Sequence, residues 1–375
     1  AEGADRIAVE AALESGLSLD VVLPFPPEEY RTDFETSESR AAFDALLGRA
    51  ESVLTLDGAS DKRAPAYDAA GIAMLDNCDL LIAVWDGGPG RGRGGTRDVI
   101  DEAVRRAMPI VTISPDGADT VLRVPVPTPR QTIHLDDVPG RNVAALPDLV
   151  RKIVRLREHG EPDWLSASAP PTRGWIYAAY PLLLKLVGVG RKKGRPQDGP
   201  VDPPPQPLTP LHTSFEWWDN AANGAAKAFR SAVIVNFGLA AFAVVLAVVS
   251  LLVGDAKWIF VAAEITTIGL LIANTWYATR HKWQERWLES REIAELLRVS
   301  ILLRQVGIGR GVVDSETAGW STRYVAALSR SVPPDTIDLS RPVVVAEGVL
   351  AEIADQASWN QGNARKMHLV AHRIE

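Results

Sequence analysis

Two long apolar runs, separated by only four residues, constrain this chain more than any other feature. SAVIVNFGLAAFAVVLAVVSLLV (231–253) has no charged residue, and WIFVAAEITTIGLLIANTWY (258–277) has one, Glu264. Each run is long enough, as a helix, to cross the hydrocarbon core of a bilayer. The loop GDAK is so short that the two helices must run antiparallel. The sequence leaves one alternative open, a buried helical hairpin in a large soluble protein.

Charges on both sides of this pair predict its orientation. The flanking cations and the one flanking histidine are Lys227, Arg230, Arg280, His281, Lys282 and Arg286. Loops on the cytoplasmic side of a membrane are enriched in Lys and Arg. We therefore expect both long flanks, and with them both termini, to lie in the cytoplasm.

The regions around the pair have their own patterns. No proline interrupts residues 258–306, so one helix of about 49 residues, roughly 73 Å long, is expected there. Upstream, RKKGRPQDGPVDPPPQPLTP (191–210) is a stiff, proline-dense linker. These features predict a connecting region with that linker (126–210), a hairpin with a long helix (211–310) and a helical C-terminal region (311–375).

Residues 1–125 have a different pattern, in which short apolar runs alternate with helical periodicity. The predicted strands are 19–25, 52–56, 79–85 and 109–114, and the predicted helices are 4–16, 38–50, 66–78 and 96–107. Strands that are apolar throughout and alternate with helices are typical of a parallel sheet covered on both faces. Such an α/β domain binds its ligand at the carboxyl ends of the strands. The pattern begins within a helix, so we also expect that a first strand precedes Ala1 and is missing here.

Composition excludes some classes of function. The chain of 375 residues has a formal net charge of −7, whereas nucleic-acid-binding proteins usually have a basic surplus. We therefore expect no nucleic acid among its partners. Cys78 is the only cysteine, so the chain cannot form an internal disulfide, as is usual for proteins of a reducing compartment.

A glycine-rich segment, DGGPGRGRGGTRD (86–98), lies between the third predicted strand and the next helix. The glycines that match G-x-G-x-x-G are Gly90, Gly92 and Gly95. No lysine precedes Thr96, so this is not a Walker A loop, and Asp116 stands late for a ribose-binding acid. Glycines let backbone N–H groups approach a phosphate at a helix N-terminus, where Thr96 is expected to be the N-cap. The alternative is a flexible surface loop without a ligand.

Several segments in order resemble the SLOG superfamily, which comprises the SMF and LOG proteins. AEGADR (1–6) opens the first helix and is followed by VVLPFPPEEYRTDF, and DLLIAVWDG and GGT come later, before another helix. The resemblance covers residues 1–117. It implies a Rossmann-like fold that binds nucleotides.

This resemblance, with the loop pattern, provides the candidate ligand-binding residues. They are Gly3, Asp5, Asp86, Gly92, Gly94, Gly95, Thr96 and Asp98. By resemblance, the first two border the ligand from one helix, and the GGT segment holds its phosphate from the other. LOG enzymes have a catalytic glutamate three residues after that threonine, where this chain has Val99. We therefore expect nucleotide binding without hydrolase chemistry, and a membrane-held nucleotide N-glycosidase of LOG type is the alternative.

The hairpin and the helix RWLESREIAELLR (286–298) resemble the SLATT proteins, two-helix membrane effectors that accompany SLOG sensors in bacterial conflict systems. The resemblance implies that a nucleotide or nucleotide-derived signal, bound in the cytosol, triggers oligomerisation or pore formation in the bacterial inner membrane. The implied partners are the lipid bilayer, the small nucleotide ligand and further copies of the chain. A regulated channel or transporter subunit is a further alternative.

The remaining polar residues give weaker indications. Glu264 lies about two turns into the second run, where a carboxylate is costly unless it faces protein or water, but it also lies near the expected interface. His368 and His372 are four residues apart without a third ligand beside them, so no metal site is expected. No cofactor other than the nucleotide ligand is expected.

Overall fold

The computed structural model describes residues 3–88, 94–126, 134–154, 178–188, 209–253, 257–309, 319–339 and 342–374. The chain divides into two compact units. The first unit comprises Ala1–Glu158, Pro207–Leu211 and Arg298–Glu352, and the second comprises His159–Gln206, His212–Leu297 and Ile353–Glu375.

The N-terminal part of the first unit alternates helices and strands. Its elements are α1 (Ala4–Glu14), β1 (Asp20–Leu23), α2 (Pro27–Tyr30), α3 (Ser37–Leu47), β2 (Ser52–Thr55), α4 (Arg63–Leu75), β3 (Leu81–Val84), α5 (Thr96–Arg105), β4 (Ile110–Ile113), β5 (Thr120–Arg123), β6 (Gly140–Asn142) and α6 (Leu146–Val154). The four strands and four helices predicted between residues 4 and 114 are confirmed, with small shifts at their ends.

The rest of the described chain is almost entirely helical. Its elements are α7 (Ala179–Leu186), α8 (Leu211–Leu252), α9 (Lys257–Arg280), α10 (Trp283–Gln305), α11 (Trp320–Ser331), β7 (Ile337–Asp338) and α12 (Pro342–Ile374). A long helical C-terminal part that contains two apolar helices is therefore confirmed. The short strand β7 was not predicted.

The strands of the first unit form two sheets. In one sheet the order is β1, β2, β7, and both pairings are parallel. In the other, β3 pairs in parallel with β4, and β5 and β6 continue in antiparallel fashion. A parallel-sheet α/β region is confirmed, but the antiparallel extension was not expected from the alternation of apolar runs.

The antiparallel extension begins at a tight turn after β4. Gly117 has a φ of 71°, and Asp116 Oδ1 accepts from the Ser114 hydroxyl at 2.5 Å and from Ala118 N–H at 3.1 Å. The bond from the hydroxyl, and then that from the N–H, lower the pKa of Asp116. An Asp-Gly pair favours a hairpin. The chain therefore reverses into β5 instead of crossing over through another helix.

The largest described core fixes the position of α5 on the second sheet. Ile100 of α5, Met108 and Ile110 of β4 are fully buried, together with Leu75 of α4. Full burial of a side chain of this size contributes about 1.5–3 kcal/mol. Because α5 is fixed in this way, its N-terminus lies near the carboxyl end of β3.

The C-terminal part of the chain completes the first unit. Both residues of β7 pair with Leu54 and Thr55 of β2. Helix α11 is buried along most of the stretch from Ser321 to Ser329. A two-residue strand has no periodicity that a sequence can show, so its pairing depends on contacts between distant parts of the chain.

In the second unit, polar side chains join α8 and α9 into an antiparallel hairpin. Asn274 Nδ2 donates to Asn236 Oδ1 at 2.8 Å and to the Ala232 carbonyl at 3.1 Å. Asn236 Nδ2 donates to Thr275 Oγ1 at 3.0 Å. Hydrogen bonds between apolar helices fix their register, because an amide without a partner is costly where water is absent.

The apolar side chains of the hairpin point outwards. Both helices are long and apolar enough to cross a membrane, and only 6% of the most apolar stretch of each is buried. Val248 is 54% exposed and Ile265 is 66% exposed. A helix in the core of a soluble protein would be hydrophobic on all sides and buried. The exposed surface argues against the buried hairpin that the sequence left open.

The helix expected over residues 258–306 is interrupted at one place. α9 ends before a turn at His281 and Lys282, and α10 follows. Lys282 has a φ of 51°, a left-handed conformation that costs a non-glycine residue roughly 1–2 kcal/mol. Trp283, the next residue, is 1% exposed and packs against Ala228 of α8. Burial of this large apolar ring offsets the cost of the turn.

Acidification is expected to destabilise this turn through His281, which lies outside the apolar run 258–277. Burial, and then the charges of Arg286 and Arg280, lower the pKa of His281 below its usual 6.5. The folded protein binds this proton less readily than the unfolded chain, so stability present at neutral pH is lost as the pH falls below about 6.5. We expect His281→Gln to reduce the acid-induced fall in unfolding temperature. An identical pH dependence in both proteins would contradict this role.

Candidate functional site

The GGT segment leads into α5 near the carboxyl end of β3. Gly94 has a φ of 84°, and a Cβ atom added there would stand 2.9 Å from Asp68 N and 3.1 Å from Ala64 O, both in α4. Only glycine fits this space and this backbone conformation. The Gly94 N–H donates to Asp98 Oδ2 at 2.9 Å. The carboxylate of Asp98 therefore holds the loop from within the protein.

The N-cap of α5 is Gly95, and the prediction that Thr96 takes this position is wrong. Gly95 has an extended backbone, with φ −83° and ψ 171°, and no side chain caps the helix. Asp98 N and Val99 N donate to Gly95 O at 3.0 and 3.3 Å. The N–H groups of Thr96 and Arg97 come earlier and have no acceptor within the helix. These two are the donors that an anion at this helix N-terminus would meet.

The other predicted half of the site is the start of α1. Gly3 is the N-cap of α1 with a φ of 69°, and a Cβ atom added there would meet nothing within 4 Å. Asp5 lies exposed in the first turn. Burial, and then the charge of Asp5, raise the pKa of Tyr30, so the carboxylate lies near that phenol. The backbone conformation, and not close packing, requires glycine at position 3.

Two tyrosines connect the two halves of the site. The rings of Tyr30 and Tyr67 lie 6.2 Å apart, and Tyr67 Cβ would stand 3.3 Å from a Cβ atom added at Gly94. The Tyr67 hydroxyl donates to Asp33, which also pairs with Arg63. A series of neighbouring residues therefore leads from Asp5 through Tyr30 and Tyr67 to Gly94. That the two segments border one ligand stays a prediction.

Arg6 is a residue that the sequence reasoning missed, although it belongs to AEGADR. Its Nε and Nη2 atoms are buried and have no hydrogen-bond partner within the part of the chain that the structure describes. A buried donor without an acceptor costs about 1–3 kcal/mol, and more when the group is charged. An anion would satisfy these donors. Arg6 is therefore an additional candidate ligand-binding residue, next to Asp5.

The segment between β3 and α5 is described at its two ends. Asp86 Oδ1 accepts from Gly88 N–H at 2.9 Å, and Trp85 Nε1 donates to Gly88 O at 3.1 Å. Asp86 therefore orders the first turn of the loop. Gly92 lies outside the described residues. Direct contact of Asp86 and Gly92 with a ligand stays a prediction.

Two positions bear on the chemistry of the site. A Cβ atom added at Gly71 would stand 2.8 Å from Val99 Cγ2, and Val99 borders the buried cluster around Ile100. Val99, at the position of the LOG glutamate, is therefore a packing residue. Asp116, the acid considered for a ribose, is engaged in the turn before β5.

A cavity of about 180 Å³ lies at the amino end of β1, away from the predicted site. Asp20 and Ser52, the first residues of β1 and β2, line it together with Arg304. Arg304 is 7% exposed and donates to the carbonyls of Ser329 at 3.3 Å and Val332 at 3.2 Å. Burial lowers the pKa of Arg304. The buried guanidinium joins the end of α10 to the end of α11. The cavity therefore lies where these two helices are attached to each other.

Two residues that precede β3, Asn77 and Asp79, also contact the chain that follows α10. Asn77 Nδ2 donates to Gly307 O at 2.8 Å, and Asn77 Oδ1 accepts from Gly309 N–H at 2.7 Å. Asp79 pairs with Arg330 at 2.8 Å. These contacts, all within the first unit, attach the chain after α10 to the α/β region.

The remaining candidates lie in different parts of the described chain. The rings of His368 and His372 lie 6.4 Å apart on α12, and no group of three potential metal ligands occurs among the residues that the structure describes. Cys78 Sγ lies 3.7 Å from Met108 Sδ, beside the core. Glu264 is half-buried on α9.

Comparison of the chain with protein-family models, with curated proteins and with solved structures finds no match. Two features of the chain bear on its function: the start of α5 with Arg6 and Asp5 in the first unit, and the exposed apolar hairpin in the second.

Proposed function

We propose that this chain is a membrane-anchored sensor-effector of bacterial defence. In this proposal the first unit is a Rossmann-like domain of the SLOG type, which binds a nucleotide or nucleotide-derived signal in the cytosol. The hairpin is a SLATT-like module that responds in the inner membrane. One observation carries the proposal: a chain whose α/β unit has a helix N-terminus without a side-chain cap also carries two long helices with exposed apolar surfaces.

The chemistry of the first unit supports a phosphorylated ligand. The N–H groups of Thr96 and Arg97 and the helix dipole of α5 favour a negative charge at the GGT segment. The unpaired nitrogens of Arg6 can donate to phosphate oxygens, and such charge-assisted bonds are strong. The exposed carboxylate of Asp5 can accept from a hydroxyl group. Phosphate and hydroxyl groups together are the recognition features of a nucleotide.

The response of the hairpin requires contact between copies of the chain. Gly238, Ala241 and Ala247 of α8 are small residues that allow close approach of membrane helices. A Cβ atom added at Gly238 would meet nothing within 4 Å, so this position is open to another helix. A ligand shifts such an assembly only if it binds one arrangement more tightly than another. We therefore propose a homo-oligomer whose assembly depends on ligand occupancy.

Vesicle leakage tests the sensor-effector function directly. We expect the full chain, reconstituted in dye-loaded vesicles, to release dye when nucleoside mono-, di- or triphosphates are added singly, with one of them far more effective than the rest. Gly95→Val, which changes the start of α5, is the matched control and should release no dye with any nucleotide. Leakage without any nucleotide would support a constitutive channel instead. An absence of leakage and of hairpin crosslinking with every nucleotide would reduce the membrane part to an anchor.

Labelling of single cysteines tests the proposed topology. In a Cys78→Ala background, Asp255→Cys and Ser315→Cys are expected to respond oppositely to an impermeant thiol reagent applied to intact cells. Asp255 stands between the two apolar runs and should be labelled, whereas Ser315 should be labelled only after lysis. Labelling of Ser315 in intact cells would overturn the cytoplasmic placement of the termini.

A further inference from the structure

The base of the hairpin carries three cations, two of them at one level. Arg230 stands six residues before Asn236, and Arg280 stands five residues after Thr275. The hydrogen bond between Asn236 and Thr275 sets the two helices in register. At 1.5 Å per helical residue, Arg230 and Arg280 both lie roughly 7–9 Å beyond that bond. Lys227, one turn before Arg230, continues the group on α8.

Aromatic rings hold one of these cations in place. The guanidinium carbon of Arg230 lies 5.3 Å from the centre of the Tyr180 ring and 5.2 Å from that of Trp287. Arg230 Nη1 also donates to the Tyr180 hydroxyl at 3.4 Å. Aromatic faces attract a guanidinium without neutralising it. The side chain of Arg230 is exposed, so its positive charge is oriented by the rings and remains open to an anion.

A short helix with exposed leucines lies at the same level. Tyr180, in α7, donates its N–H to Ser231 Oγ at 3.2 Å, where the first apolar run begins. Leu182 is 56% exposed and Leu186 is 77% exposed. Exposed leucines beside the end of an apolar span are typical of a helix that lies in the membrane interface. The cations and this short helix therefore lie at the same end of the hairpin.

We propose that Lys227, Arg230 and Arg280, here called the basic collar, bind the phosphate headgroups of anionic phospholipids. The inference rests on the membrane insertion proposed above and adds the class of lipid that the hairpin recognises. None of the three forms an ion pair with a carboxylate within the described residues. The nearby Lys282 pairs with Glu285 at 3.4 Å, so the negative charge of Glu285 is already offset by Lys282. The collar is left with a net positive charge beside the apolar surface that lipid chains would cover.

Lipid retention by the full chain tests this inference. Purified protein is equilibrated with equal amounts of phosphatidylglycerol and phosphatidylcholine, and retained lipids are counted by native mass spectrometry. We expect a clear preference for phosphatidylglycerol, lowered roughly fivefold by Arg280→Gln and further by Arg230→Gln, since one cation near an anionic surface is worth about 1 kcal/mol. Arg280→Lys should keep the preference. Lys257→Gln, which removes a cation at the opposite end of α9, should also keep it.

Three outcomes distinguish a failure of the lipid assignment from a failure of the membrane insertion. Equal retention of both lipids by a wild-type chain that resists alkaline extraction from membranes would overturn the collar and leave membrane insertion standing. Extraction of the wild-type chain would instead overturn the insertion itself. Displacement of phosphatidylglycerol by inorganic phosphate, beyond the effect of chloride at the same ionic strength, would show a site for free anions and would also overturn the lipid assignment.

Discussion

Gly95→Val is expected to weaken nucleotide binding at least about 100-fold, while its cost to the stability of the first unit stays within about 1 kcal/mol, the range of a changed N-cap residue. Two charge-assisted hydrogen bonds of about 1.5 kcal/mol each account for a loss of this size. The extended backbone of Gly95, with φ −83° and ψ 171°, accepts a valine without strain. Because Gly95 directly precedes Thr96 and Arg97, a branched side chain there is expected to obstruct the approach of a phosphate to their N–H groups. Calorimetric titration with the nucleotide that is most effective in the leakage assay measures the effect.

The neighbouring glycine provides the matched control. Gly94→Ala combines a left-handed backbone, φ 84°, with a Cβ atom 2.9 Å from Asp68 N. This substitution should lower the unfolding temperature, because the loop must leave its place against α4. A Gly95→Val protein that binds nucleotide with unchanged affinity would remove the GGT segment from the site and favour a surface loop without a ligand.

Gly58→Ala is expected to destabilise the first unit by about 3 kcal/mol or more. An added Cβ atom would stand 2.2 Å from the Pro24 carbonyl oxygen and 2.8 Å from Ala66 Cβ. Backbone atoms cannot yield to such an overlap as a flexible side chain can, so the loops after β1 and β2 must separate. In a unit of this size we expect a fall of roughly 6–12 °C in unfolding temperature, measured by thermal denaturation.

Gly319→Ala is the matched control for this substitution. Gly319 belongs to the same unit, and a Cβ atom added there would meet only the Ser321 hydroxyl at 3.6 Å. Its cost should stay below about 1 kcal/mol, the range of a changed N-cap residue. Equal destabilisation by both substitutions would show that the close approach of Gly58 to Pro24 does not determine the stability of the first unit.

Local patterns predicted much of the architecture and part of the candidate site. The alternation of apolar runs and helical periodicity located the elements from α1 to β4, because each is specified by residues close together in the chain. The glycine and aspartate residues at the starts of α1 and α5 are candidates through the loop pattern and the resemblance to SLOG proteins, and their contact with a ligand stays a prediction. The Asp-Gly pair after β4 is itself a local hairpin signal in the sequence.

Other features depend on partners that are distant in the chain. The donors of Arg6 are noticeable only because the folded chain buries them without an acceptor. The left-handed Lys282 follows from the burial of Trp283 against α8, which no helical periodicity predicts. The pairing of β7 with β2 joins residues far apart in the sequence, as does the attachment of Arg304 to the end of α11. Non-local contacts of this kind leave no local pattern.

The sequence by itself determined the alternating α/β region, the two membrane-length apolar runs and the glycine-rich start of α5, because period and composition act over a few residues. Only the tertiary structure decided that the apolar surface of the hairpin is exposed, that Asp98 bonds the loop while the start of α5 stays uncapped, and that the chain after α10 completes the first unit. The physical reason is that burial and hydrogen-bond satisfaction belong to the whole packed molecule, and a side chain gains its role only from the neighbours that folding brings to it.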